Sequence, residues 1–212
     1  MKSTNDVKVS LDAAGRLLFE PTGAQNGIGF ILYPGARVDQ RAYAPLARGI
    51  AVRGNVVVIV PMLLNLAILS PDRAQDVIDS YHGIRTWAVG GHSLGGSMAA
   101  HFARLHIKEI KGLVLWASYP ASTDDLSTAA LPVLSVSASR DGLATPAKIA
   151  AARPLLPPAT MYLPIEGGNH AQFGSYGTQI SDHAASISAA EQWRLVIQAT
   201  ANFLAQVAKQ QQ

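Results

Sequence analysis

The sequence contains no cysteine and few charged or aromatic residues. The absence of cysteine excludes a disulfide-stapled scaffold, a zinc–thiolate site and a cysteine nucleophile. Charged residues make up 15% of the chain, against about 25% in an average globular protein, while hydrophobic residues reach 49%. This balance excludes intrinsic disorder, which requires low hydrophobicity and high charge. Aromatic residues are only 7%, and alanine and glycine supply much of the small-residue content. Small residues at this density favour closely packed backbones, as in layered α/β folds.

Two further absences limit the partners of the protein. Lys and Arg number 17 against 14 Asp and Glu, a net charge of +3 without any run of like charge. Nucleic-acid binding needs clustered basic residues, so no nucleic-acid partner is expected. The apolar stretch over 56–69 is interrupted by Pro61 and Asn65, which leaves it short of the roughly 20 apolar residues of a membrane span. The first ten residues have no apolar signal-peptide region, so no signal peptide is expected, and processed export stays open.

Short β-rich segments alternate with longer stretches of helical periodicity. Val56–Val60, for example, is a continuous β-branched run, typical of a strand buried on both faces. Strands are predicted at 17–20, 27–33, 56–60, 86–90, 110–117, 131–137 and 160–165. Helices are predicted at 43–53, 71–82, 97–106, 146–152 and 188–208. The alternation predicts a three-layer α/β/α sandwich with a mostly parallel sheet, formed by 1–212 as a single domain.

A G-x-S-x-G pattern lies between a predicted strand and a predicted helix, with Gly91, Ser93 and Gly95 at the fixed positions. In this context the pattern predicts a nucleophile elbow, a sharp turn that exposes the serine hydroxyl. Glycine is needed two residues before and after the serine, because a Cβ there would clash with the neighbouring strand and helix. Ser93 is therefore the predicted nucleophile. The alternative is a glycine-rich turn with an incidental serine.

A serine hydroxyl needs a base to take its proton, and the chain has six histidines. His170 follows the last predicted strand in a Gly-Gly-Asn-His loop, and it is the predicted base. His183, in a polar stretch farther from any strand end, is the second candidate. His92 adjoins the nucleophile and is expected to point away from it by turn geometry.

The base in turn needs an acid that fixes its tautomer. Asp141 follows the strand predicted at 131–137 and is the predicted acid, with Asp124 and Asp125 as competitors after the preceding strand. An oxyanion hole is expected from two backbone N–H groups, those of Leu94 after the nucleophile and of Ala36 after an early strand. In each case the alternative is a turn or loop residue without a catalytic role.

These motifs resemble the α/β-hydrolase superfamily from about Leu17 to Ala208, including its chain order of serine, aspartate and histidine. Three parts are similar to small bacterial α/β-hydrolases of the dienelactone-hydrolase-like branch, namely Tyr33–Asp39 with Tyr43–Leu46, Gly91–Gly96 and Glu166–Tyr176. The resemblance implies that Ser93 is the nucleophile, Asp141 the acid and His170 the base. It also implies that Ala36 and Leu94 supply the oxyanion donors. Dienelactone hydrolases, however, use a cysteine nucleophile, which this chain lacks. Many members insert a cap where this chain has only Ser118–Ala130, so a capless, open site is implied.

The expected activity is the hydrolysis of small carboxylic esters through an acyl-enzyme on Ser93, with no metal or cofactor. Arg37, Tyr119 and Phe173 are candidate substrate-binding residues on the strand-end loops, and Arg37 could instead be a solvated surface residue. A lyase or a perhydrolase would use the same three residues. A ligand-binding protein on the same fold is a further alternative, although such proteins usually lose one member of the triad.

Overall fold

The computed structural model describes residues 2–211, which form an eight-stranded sheet. The strands are Val7–Leu11 (β1), Leu17–Pro21 (β2), Ile28–Tyr33 (β3), Val56–Ile59 (β4), Thr86–His92 (β5), Ile110–Trp116 (β6), Val133–Ala138 (β7) and Met161–Ile165 (β8). They are ordered β1-β2-β4-β3-β5-β6-β7-β8. β1 and β2 pair antiparallel, as do β2 and β4, and every other pair is parallel. The prediction of a mostly parallel sheet is confirmed.

Helices cover both faces of this sheet. They span Ala44–Ala51 (α1), Arg73–Ile78 (α2), Leu94–Leu105 (α3), Pro146–Ala151 (α4) and Ala189–Lys209 (α5). Leu46 of α1 and Phe203 of α5 belong to the apolar core on one face, whereas Val77 of α2 and Phe102 of α3 belong to the core on the other. The three-layer α/β/α architecture predicted from the sequence is therefore confirmed.

The central strands bury side chains on both faces. In β3, Phe30 and Leu32 point into the core beneath α1 and α5, while Ile31 and Tyr33 point into the core beneath α2 and α3. Successive side chains of a strand face opposite sides, so a strand between two helical layers needs an unbroken apolar run. This requirement explains the apolar runs that identified the central strands in the sequence.

Two elements differ from the sequence prediction. β1 was not predicted; it pairs in register with β2 from Val7↔Pro21 to Leu11↔Leu17 at the edge of the sheet, and only Val7 is buried. α2 is shorter than the predicted helix over 71–82, because the chain turns away after Ile78. The Tyr81 hydroxyl there donates to Asp12 Oδ2 at 2.9 Å. That contact joins positions far apart in the chain, so helical periodicity could not reveal it.

The loops that follow β3, β5, β6, β7 and β8 carry the predicted site residues, and the carboxyl ends of parallel strands share one edge of the sheet. The connection over 117–132, between β6 and β7, contains no helix or strand, so this part of the described chain forms no cap, as predicted. Within residues 2–211, no helix combines the length and the apolar character that crossing a membrane requires.

Candidate active site

The chain turns sharply between β5 and α3, and Ser93 lies at this turn with φ 53° and ψ −124°. A positive φ costs a residue other than glycine about 1–3 kcal/mol unless its surroundings hold it there. The Ser93 amide donates to the Trp116 carbonyl at 3.0 Å. A Cβ at Gly91 would lie 2.4 Å from the carbonyl carbon of Gly95, and a Cβ at Gly95 would lie 2.3 Å from the Tyr33 carbonyl oxygen. The two glycines therefore permit the turn that carries Ser93.

Asp141 and His170 form a buried pair at the ends of β7 and β8. Nδ1 of His170 lies 2.8 Å from Oδ2 of Asp141, and both side chains are almost completely shielded from solvent. The other carboxylate oxygen, Oδ1, accepts hydrogen bonds from the amides of Leu143 and Ala144, each at 2.8 Å. These bonds fix the carboxylate, which in turn fixes the orientation of the imidazole ring.

The remaining nitrogen of His170 is free for chemistry. Among residues 2–211, no group hydrogen-bonds to its buried Nε2. The His170 ring centroid lies 4.5 Å from that of His92, the residue directly before Ser93. The structure thus brings the Asp141–His170 pair beside the elbow, with one imidazole nitrogen unpaired.

The loop after β3 leaves the Ala36 amide available beside the elbow. The Gly35 amide donates to the Tyr43 hydroxyl at 2.8 Å, and the Arg37 amide donates to the Asn65 carbonyl at 2.7 Å. Between them, the Ala36 amide donates to nothing within the described part of the chain, and neither does the Leu94 amide at the start of α3. Two free N–H groups, one on each loop, are what an oxyanion hole requires.

The ring of His92 packs against that of His170, the candidate base, with their centroids 4.5 Å apart. The His92 ring also stacks on Phe173 with centroids 5.6 Å apart, and its Nδ1 lies 2.9 Å from the Tyr43 hydroxyl. That hydroxyl accepts from the Gly35 amide, so its proton is left for His92 Nδ1. Burial, and secondarily the proximity of His170, holds the pKa of His92 well below its usual range. His92 is therefore a neutral acceptor linked through Tyr43 to the oxyanion loop.

The Tyr43–His92 contact was missed in the sequence because its partners are 49 positions apart. No local motif connects a tyrosine at the start of a helix to the residue before a nucleophile. Only the parallel pairing of β3 with β5 brings the two loops together.

A cavity of about 250 Å³ opens at the serine. Its lining combines hydroxyl groups with small and apolar side chains: Ser93, Leu94, Ser97, Ala117, Ser118, Tyr119, Leu143 and Ala144. Drug-sized ligands occupy pockets of roughly 300–1,000 Å³, so this cavity suits a smaller group. A larger cavity of about 490 Å³, between β1 and the loop at Asp39–Arg41, contains none of the candidate catalytic residues.

The three candidate substrate-binding residues lie in different surroundings. Tyr119 lines the cavity beside Ser93. Arg37 is exposed, next to Ala36, and is not part of the lining. Phe173 is fully buried behind His92, so it supports that ring and does not reach the cavity.

The competing acids and the competing base lie outside the Asp141–His170 pair. Asp124 is buried and lies 2.8 Å from His101 Nδ1 and 3.0 Å from Arg104 Nε on α3. Asp125 is bonded to the amide of Ser127. His183 is exposed. Within residues 2–211, no three His, Asp or Glu side chains cluster as metal ligands would.

Comparisons with known proteins agree with this architecture. The sequence profile of the alpha/beta hydrolase family matches residues 29–194. A dienelactone hydrolase from Anabaena variabilis is similar in structure, with a TM-score of 0.72 and 14% identity, over 94% of this chain and 100% of the other. A predicted CIB-like hydrolase from Thermoplasma acidophilum gives a TM-score of 0.65 and 15% identity, over 92% and 98%. No curated protein sequence matches the chain.

Proposed function

Because the chain belongs to the alpha/beta hydrolase family, we propose that it is a serine hydrolase that cleaves small carboxylic esters through an acyl-enzyme on Ser93. One observation supports the proposal: directly before a serine at a strained strand-to-helix turn, the His92 ring lies 4.5 Å from that of His170, which is buried, paired with Asp141 and unpaired at its outer nitrogen. A buried imidazole aligned by a carboxylate is the base that a serine hydroxyl needs.

In the proposed reaction, Nε2 of His170 takes the Ser93 hydroxyl proton while Oγ attacks the ester carbonyl carbon. Asp141 accepts the Nδ1–H bond and stabilises the imidazolium that forms. The carbonyl oxygen becomes an oxyanion between the N–H groups of Ala36 and Leu94. His170 then gives its proton to the departing alcohol, and water releases the acid from Ser93 by the same steps in reverse.

The cavity supports a short acyl or alcohol group as the part of the substrate next to the serine. Its volume is about 250 Å³, and Leu143, Ala144 and Tyr119 supply apolar surface beside the hydroxyls of Ser97 and Ser118. The connection over 117–132 adds no further element to enclose a long chain. We therefore expect rates to fall as the acyl chain of a p-nitrophenyl ester grows from acetate to decanoate.

Fluorophosphonate labelling with a p-nitrophenyl ester assay tests the proposal. The wild-type protein should bind one probe at Ser93, located by peptide mass spectrometry, and should hydrolyse p-nitrophenyl acetate. Ser93→Ala should lose the label and on the order of 10⁴-fold or more of kcat, since the nucleophile is removed. Ser127→Ala, which changes a serine outside the cavity, is the matched control and should behave as wild type. Hydrolysis that persists in Ser93→Ala would contradict the proposal.

A further inference from the structure

The segment over 174–188 returns across both catalytic loops before α5 begins; we refer to it as the return segment. Its backbone is held close to them. The side-chain amide of Asn169 donates to the His183 carbonyl at 2.8 Å, and the Ser186 amide donates to the Gly167 carbonyl at 2.8 Å. A Cβ at Gly142 would lie 2.1 Å from the Ser181 carbonyl oxygen, so the return segment passes directly over the acid loop.

One carboxylate of the return segment joins the two catalytic loops. Oδ1 of Asp182 accepts from the amides of Gly142 at 3.0 Å, His170 at 3.3 Å and His183 at 3.0 Å. Its Oδ2 accepts from the Ala171 amide at 2.8 Å. Gly142 directly follows the acid Asp141, while His170 is the base itself. The Asp182 side chain thus bonds to the backbone on both sides of the Asp141–His170 contact.

The bonds to Asp182 are all of one kind. Each partner is a backbone N–H donor, which a carboxylate satisfies with both of its oxygens and a neutral amide does not. The charge also acts on the site: after burial, the negative charges of Asp182 and Asp141 raise the pKa of Tyr176, whose ring lies 6.2 Å from that of His92.

We infer that Asp182 is a positioning residue, which holds the acid loop and the base loop in register through three backbone bonds, from the amides of Gly142, His170 and Ala171. The inference rests on the proposed function for its readout. Nearer the strand ends the same loops are joined by the Arg140 amide, which donates to the Gly168 carbonyl at 2.9 Å, and by the Gly167 amide, which donates to Ser139 Oγ at 2.9 Å. Asp182 joins them at Gly142 and His170, directly beside the Asp141–His170 contact. A displacement of the base by about 1 Å can cost on the order of 10²-fold in rate.

Asp182→Asn tests this role, because it retains the shape of the side chain but turns one acceptor into a donor that faces N–H groups. We expect kcat for p-nitrophenyl acetate to fall by about 10–100-fold with KM little changed. The downfield proton NMR signal of the His170 Nδ1–H should also shift or broaden. Asp79→Asn, the same change at an exposed carboxylate of the α2 end, is the matched control and should retain wild-type values. Wild-type kcat together with an unshifted Nδ1–H signal in Asp182→Asn would overturn the inference.

Hydrogen exchange in the wild-type protein keeps the inference testable if the variant does not fold. The Gly142 amide lies in a loop and the Ala171 amide at the first position of a short 3-10 helix, yet both should be protected from exchange by their bonds to Asp182. Exchange of both amides at the rate of an open loop would overturn the inference. The exchange result does not depend on the proposed function, because it needs no activity. Loss of activity in Ser93→Ala tests the nucleophile, whereas Asp182→Asn and the protection of the two amides test the positioning role.

Discussion

Two histidines stand side by side in the site, and their partners give them different roles. Nδ1 of His170 faces the Asp141 carboxylate, whereas Nδ1 of His92 faces the Tyr43 hydroxyl. A carboxylate stabilises an imidazolium, while a phenol that donates its proton requires a neutral ring. With its pKa well below its usual range, His92 adds no positive charge next to the base. The neighbours of each ring, and not the residue type, distinguish His170, the proposed base, from His92, which packs against it.

At the residue scale, Tyr43→Phe should reduce catalysis through the oxyanion loop. The change removes the hydroxyl that accepts the Gly35 amide, next to the donor Ala36, and leaves His92 Nδ1 without its donor. We expect kcat to fall by about 10–100-fold. Removing an oxyanion donor outright costs about 10²–10³-fold, and here the donor is only displaced. Unpairing two buried groups should also lower the free energy of unfolding by about 1–3 kcal/mol.

Kinetics with p-nitrophenyl acetate and urea unfolding measure the two effects of Tyr43→Phe. Tyr81→Phe is the control: it removes a hydroxyl bonded to Asp12, away from the site, and should leave kcat unchanged. A wild-type kcat in Tyr43→Phe would show that the hydroxyl does not hold the oxyanion loop.

At the scale of elements, the site depends on how closely a helix, a strand and a loop approach one another. Gly95 of α3 packs on the backbone at the end of β3, where the oxyanion loop begins. This approach explains why the elbow could be predicted from the sequence: strand, glycine pattern and helix are contiguous there. The acid and base loops were also predictable, since each directly follows a strand. The directions of side chains within these loops could not be predicted. Phe173, expected to bind substrate, instead lies in the core and not in the cavity.

The element-scale prediction concerns Gly95→Ala. The added Cβ would lie 2.3 Å from the carbonyl oxygens of Tyr33 and Pro34, and backbone atoms cannot rotate away as a side chain can. We expect the free energy of unfolding to fall by about 1–3 kcal/mol and kcat to fall with it, since α3 and the oxyanion loop must separate.

Urea unfolding and the ester assay check this expectation. Gly83→Ala is the control, because a Cβ at Gly83 meets nothing within 4 Å. That variant should be neutral or slightly stabilising. Equal stability of the two variants would contradict the close approach at Gly95.

At the scale of the whole molecule, the fold class was predictable and the long-range contacts were not. Alternating apolar runs and helical periodicity specify the layers. The edge strand β1 was not predicted, because it buries only Val7. The contacts of Asp182 with Ala171, His170 and Gly142 were not predicted either, because these residues lie 11, 12 and 40 positions away along the chain. Such contacts arise only after strand order has brought distant loops together at one edge of the sheet.

Acid stability is a property of the whole molecule to which His92 contributes. Its pKa in the folded protein is lowered by burial, whereas an unfolded chain has a histidine pKa of about 6.5. Below that pH the unfolded chain binds a proton that the folded protein does not, so stability falls as the pH falls. The contribution reaches at most about 1.4 kcal/mol per pH unit.

His92→Asn should therefore show a shallower loss of unfolding free energy between pH 7 and pH 5 than the wild type. Urea unfolding across this range measures the slope. Gly83→Ala, which leaves His92 and its Tyr43 partner in place, is the control and should retain the wild-type slope. Equal slopes in His92→Asn and the wild type would contradict the contribution of His92.

At Ser93, the backbone conformation that lowers stability belongs to the same residue as the hydroxyl proposed for catalysis. With φ 53° and ψ −124°, Ser93 adopts a conformation that only glycine reaches without cost. Replacing Ser93 with glycine would relieve strain of about 1–3 kcal/mol and remove the hydroxyl of the proposed nucleophile. Under the proposed function, directed evolution for thermal tolerance alone would therefore favour a more stable but inactive protein, so each round of such a selection needs an activity screen.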